Sequence, residues 1–148
     1  MASAQWQTGD MMALITEFFE QDDLQQLALD VGLYLDCPLL VLDDAFRVVA
    51  HFCPVGFSDP LFRSAVSQGA ITYEASAVIS KSQALREGSA DMIKLEESSF
   101  RRRFAPLICT GVRLGYLICV DTDGHLQKIP AEIWRQIDLI LAKQPFIE

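Results

Sequence analysis

Histidine is nearly missing from this sequence: His51 and His125 are the only two in 148 residues. A Ser-His-Asp triad or a histidine-rich metal centre therefore has little to draw on. Cysteine is scarce as well. Cys37, Cys53, Cys109 and Cys119 lie too far apart to make a C-x-x-C pair, which excludes a zinc knuckle and a dithiol redox motif. Eight scattered glycines build no phosphate-cradling loop. No apolar run reaches the roughly 18 residues of a membrane span, and no basic segment followed by an apolar one opens the chain. A cytoplasmic protein without metal or cofactor is expected. Bases are also in deficit, with 12 Lys and Arg against 20 Asp and Glu. The resulting net charge of -8 has the wrong sign for neutralising nucleic-acid phosphates. These residues are not expected to bind DNA on their own.

What the chain does have is core-forming material: 51% of its residues are hydrophobic and 22% are charged, the balance of a globular protein. One folded unit over 1–148 is expected, with 1–9 a flexible start. Met11, Met12, Leu14, Ile15, Phe18 and Phe19 recur at helical spacing. A second helix is expected from an Asp22 or Asp23 cap, with Leu24, Leu27, Ala28, Val31 and Leu35 on one stripe and Pro38 as its stop. Residues 38–42 and 46–52 read as strands around the acidic turn Asp43-Asp44-Ala45. That acidic pair could also hold a divalent cation, though no further carboxylates gather near it in sequence.

Helical punctuation follows: Asp59 as cap, Pro60 at the first helical position and Gly69 at the end, then a short helix from Thr72 to about Ile79. Residues 81–90 have weak periodicity, so a mobile loop or a marginal helical turn is expected there. A short strand near Met92–Leu95 precedes the strongest hairpin, Phe100–Cys109 with Arg113–Val120. The run Leu114-Gly-Tyr-Leu-Ile-Cys-Val120 is nearly all apolar, which requires cover on both faces of the sheet from helices or from a partner subunit. A final helix is expected between Pro130 and Pro145. The predicted plan is α+β: about five mostly antiparallel strands, flanking N- and C-terminal helices, and a helical insert.

Three stretches together resemble a known group: Asp36-Cys-Pro-Leu-Leu-Val-Leu-Asp-Asp-Ala-Phe-Arg-Val-Val-Ala50, Asp59-Pro-Leu-Phe-Arg63, and Phe104-Ala-Pro-Leu-Ile-Cys-Thr-Gly-Val-Arg-Leu-Gly-Tyr-Leu117. They look like the N-terminal GAF-like domain of bacterial transcriptional regulators of the PucR/CdaR type, over about residues 22–143. The resemblance implies a GAF/PAS-like fold and a sensory role. It also implies a helix-turn-helix in the complete protein, which would carry any DNA binding and which this sequence, ending at Glu148, lacks.

Two sites follow as expectations. A small effector between sheet and insert would meet Phe52, Phe57, Tyr73 and Arg102, although aromatic residues more often simply fill a core. A homodimer interface would use Phe18, Phe19, Trp134, Ile137 and Leu141, unless the terminal helices pack on each other within one chain. The run Arg101-Arg102-Arg103 could hold an anion, but a solvated strand explains it more simply. No catalytic residue is expected. The alternative is a GAF-fold thiol enzyme resembling the free methionine sulfoxide reductases, for which Cys109, near Arg113, would be the candidate nucleophile.

Overall fold

The computed structural model describes residues 16–18 and 20–143. Residues 16–18 are helical; most of the helix expected over 11–19, Phe19 included, and the expected flexible start lie outside the described residues.

Helix α1 covers Leu24–Leu35 and begins where the Asp23 carboxylate accepts the Gln26 amide at 3.2 Å. It ends at Asp36, whose left-handed backbone (φ 58°) returns its N–H to the Gly32 carbonyl. Strands β1 (Leu39–Asp43) and β2 (Val48–Phe52) form the first hairpin. Asp43 builds its turn: one carboxylate oxygen accepts the Ala45 and Arg47 amides at 2.9 Å each, and the other meets Arg47 Nε at 2.8 Å. The suggested cation ligand is thus consumed by its own turn.

The insert comprises α2 (Pro60–Gln68), α3 (Tyr73–Lys81) and α4 (Gln83–Arg86). Asp59 and Thr72 cap the first two through the amides of Phe62 and Ala75, and Gly69 closes α2 at φ 78°. Part of the 81–90 segment, expected as a loop or a marginal helical turn, is the helical turn α4. Its Leu85 is buried, and an apolar anchor of that kind outweighs weak local periodicity. Strands β3 (Asp91–Lys94), β4 (Arg101–Cys109) and β5 (Val112–Asp121) follow, then a 3-10 turn, His125–Lys128, and helix α5, Ala131–Ala142. Thr110 and Gly111, both at positive φ, make the tight β4–β5 turn that matches strand twist.

The strands lie in the order β2-β1-β5-β4-β3, every neighbour antiparallel. Alternation then sorts side chains into two cores. Leu39, Val41, Leu117 and Cys119 pack under α1 and α5, while Leu40, Leu42, Phe104, Ile118 and Val120 pack under the insert. The chain's own helices therefore supply the cover that the apolar β5 run demands. No helix of the described residues is long and apolar enough to cross a membrane.

Candidate functional site

Over the middle of the sheet, the space beneath the insert, where an effector was expected, is filled. What remains among Leu40, Phe62, Ala65, Ala75, Phe104 and Ile118 is a cavity of about 20 Å³, room for about one water. A ligand-sized space opens instead at the rim, a cleft of about 260 Å³ between the end of β2, the 53–59 loop and α2. Phe57 and Phe62 form its apolar wall, edge to face at 5.6 Å, with Phe57 leaning on Phe100 at 5.5 Å. His51, Cys53, Ser58, Asp59, Arg63, Val66 and Ser67 complete the lining.

Under the cleft lies a buried polar cluster. Asp59 pairs with the Arg102 guanidinium, accepts the Ser98 hydroxyl at 2.7 Å, and caps α2 through the Phe62 amide at 2.9 Å. Arg102 also donates to Ser98 Oγ at 2.8 Å. Burial alone would push the Asp59 carboxyl up; Ser98, the Phe62 amide and Arg102 together outweigh it and hold the group below its ordinary value. Asp59 is therefore a carboxylate whose charge is already met.

The residue after Arg102 faces the other way. Arg103 lies over the Trp134 ring at 3.9 Å and forms a paired salt bridge to Asp138 at 2.9 and 3.1 Å. Burial pushes the Asp138 carboxyl up in spite of that cation. Only Arg101 of the three arginines is exposed, so the run is not the solvated strand it resembled: two of its members are spent inside the protein.

Of the four residues expected at the effector site, Phe57 alone lines the cleft, and Arg102 sits beneath it. Phe52 points to the opposite face, so close to α1 that a Cβ on Gly32 would come within 2.2 Å of its ring. Tyr73 is 85% exposed and does not line the cleft. The period of two along β2 was the available signal: if Phe52 faces α1, His51 must face the insert. Arg63, Val66 and Ser67 share one side of α2 by helical spacing, which only the position of the cleft makes meaningful.

The residues expected at a dimer interface are inside the chain. Phe18 stacks edge-on with Tyr34 at 5.7 Å, Trp134 lies under Arg103, and Ile137 and Leu141 have no exposed surface; Phe19 lies outside the described residues. Two of the cysteines have thiols pushed up rather than down. Contact with Cys119, then burial, pushes the Cys37 thiol well up. Burial raises Cys53 as well, and its thiol points at the Pro54 and Phe57 carbonyls. Cys109 is half-buried at the turn end of β4, packed on the α1 and α5 side and away from the cleft.

Asp121, Asp123 and His125 bring potential ligand atoms within 4.8 Å of one another, but each has work to do. Asp121 accepts the Gly124 and Leu126 amides at 2.9 and 3.3 Å. His125 places Nδ1 on the Asp123 carboxylate and Nε2 on the Leu35 carbonyl at 2.8 Å. Two acceptors require two donors, so this geometry fits an imidazolium. Burial would lower its pKa; the Leu35 carbonyl and Asp123 outweigh that and raise it, as the nearby Asp121 charge also does. A raised folded-state value adds stability that is complete below the ordinary histidine range and vanishes as pH climbs through the folded value. Urea unfolding at pH 5.5, 7 and 8.5 should show the native chain losing on the order of 1 kcal/mol relative to His125→Gln, one hydrogen bond's worth. Parallel profiles for the two proteins would remove the clamp.

No family model matches the sequence, and no characterised protein does. Solved structures do match. The GAF domain of a phosphoenolpyruvate-protein phosphotransferase from Coxiella burnetii superposes with a TM-score of 0.56 at 16% identity, over 90% of this chain and 89% of that one. The chain has a GAF fold. The GAF domain of an Acinetobacter phosphoenolpyruvate-protein phosphotransferase matches with a TM-score of 0.50 at 11% identity, over 89% of this chain and 90% of that one. In GAF terms the layout is a central antiparallel sheet with α1 and α5 on one face and the insert on the other.

Proposed function

We propose that this GAF-like chain is a non-catalytic, cytoplasmic regulatory domain of a bacterial transcriptional regulator of the PucR/CdaR type, acting as a homodimer. One observation carries the reading: neighbouring residues of β4 pin opposite faces of the sheet. Arg102 holds Asp59 at the base of the cleft, and Arg103 holds Trp134 and Asp138 on the closing helix α5. Occupancy that shifts the 53–59 loop would pull on Arg102 and, through the same strand, on α5. Cys109, the candidate nucleophile, lies half-buried on the α1 and α5 side and away from the cleft, which supports the non-catalytic side of the reading.

With the described members of the aromatic terminal set buried, self-association falls to exposed apolar residues of α1 and α5. Leu29 and Leu33 stand one turn apart on α1, 37% and 63% exposed, and Leu139 on α5 is 38% exposed. The test is a fusion of the chain to a DNA-binding domain whose operator occupancy needs two linked copies. Repression of a reporter is expected, and Leu33→Glu should relieve it by placing a charge in the interface. A fusion that never represses, or one indifferent to Leu33→Glu, would end the proposal in this form.

A further inference from the structure

The rim cleft carries an unused cation, and that cation restricts what can fill it. Asp59, the carboxylate in the lining, is fully engaged by Arg102, Ser98 and the Phe62 amide. Arg63, one helical turn further along α2, is exposed at the mouth and has no side-chain hydrogen bond or ion pair among the described residues. In a chain of net charge -8, the cleft thus presents one uncompensated positive charge beside the apolar surfaces of Phe57, Phe62 and Val66.

We propose that this cleft binds small monocarboxylates with a flat or branched apolar body, the carboxylate on Arg63 and the body between Phe57, Phe62 and Val66. Three properties select that class. A volume of about 260 Å³ lies just below the usual ligand-pocket range of ~300–1,000 Å³, so the ligand is small. A planar guanidinium pairs with a carboxylate through two parallel hydrogen bonds, whereas a polyphosphate would need further cations, and Arg63 is the one lysine or arginine in this lining. A cationic ligand would find no free counter-charge, because Asp59 is already paired. The site differs in place from the closed space between sheet and insert. It deepens the regulatory reading and rests on it for its biological meaning, although binding itself does not.

The experiment titrates phenylacetate, and separately its neutral isostere phenylacetamide, into the whole 148-residue chain, followed by ¹⁵N–¹H NMR. Phenylacetate should give saturable shifts centred on the amides of Phe57, Phe62 and Arg63, with the amide weaker by about ten-fold, the worth of one charge-assisted contact. Arg63→Gln should bring phenylacetate down to the level of phenylacetamide and leave phenylacetamide unchanged, while Arg63→Lys keeps most of the preference for the acid. Unaltered phenylacetamide shifts show that the variant is folded. Equal affinity for acid and amide, no saturation with either, or an Arg63→Gln variant that binds like the native chain would each overturn the proposal. A fusion that represses beside a chain that binds no acid would sink the ligand class alone; acid binding beside a fusion that never represses would sink the regulatory reading alone.

Discussion

Replacing Arg102 with methionine is expected to remove about 3–5 kcal/mol of unfolding free energy, a large share of what a domain of this size usually has. The cause is what remains behind rather than what is lost. Asp59 would keep the Ser98 hydroxyl and the Phe62 amide, but its charge would sit 2% exposed with no cation facing it. Urea unfolding followed by far-ultraviolet circular dichroism measures the loss, with the slope against denaturant unchanged if the native state stays compact. The variant should also become sensitive to acid in an informative direction. With Arg102 gone, burial dominates and raises the Asp59 pKa, so the penalty shrinks as the group takes up a proton. The double variant Asp59→Asn with Arg102→Met should recover more than half of the single-variant loss, because neither charge is then stranded. A loss below about 1 kcal/mol for Arg102→Met would mean that the pair is exposed in solution, as surface ion pairs are.

A second change, Gly115→Ala, is expected to cost at least about 3 kcal/mol, at or beyond the upper end of ordinary overpacking. Gly115 pairs with Asp43 across the β1–β5 ladder and with Leu107 across the β4–β5 ladder. An added Cβ would lie 1.9 Å from the Leu42 carbonyl oxygen. That oxygen belongs to the backbone of a central strand, so relief requires moving β1 against β5 rather than turning a side chain. Gly32 offers the contrast: its Cβ would meet the ring of Phe52, a partly exposed side chain at the end of an edge strand, which can turn away. Thermal unfolding of Gly115→Ala beside Gly32→Ala reads the difference; equal losses would show that the β1–β5 approach is looser than described.

Much of the architecture was legible because its signals are local. Asp59-Pro60 and Gly69 bracket α2, Asp23 and Pro38 bound α1, and alternating apolar runs around Asp43 and Gly111 announce two hairpins. The candidate site was mostly illegible because its chemistry is assembled across the fold. Asp59 and Arg102 are 43 residues apart, and nothing near either one names the other. The His125 contact with the Leu35 carbonyl spans 90 residues. The arginine run misled for the same reason: charge at the start of a strand reads as solvated until a buried partner from another element is known. The large apolar side chains described on the terminal helices are used inside the chain, Phe18 by Tyr34 and Trp134 by Arg103. Leu29 and Leu33, exposed on α1 and off its buried stripe, carry no separate mark in sequence.

Everything proposed for the cleft depends on the layer between sheet and insert being closed, so that a ligand has to act from the rim. Xenon-pressurised crystals test this directly, since apolar cavities of useful size bind xenon. The expected result is no xenon among Leu40, Phe62, Ala75, Phe104 and Ile118, with any occupancy confined to the Phe57 and Val66 side of α2. An ordered xenon atom beneath Phe62 and against Phe104 would reveal a true interior chamber and contradict the account.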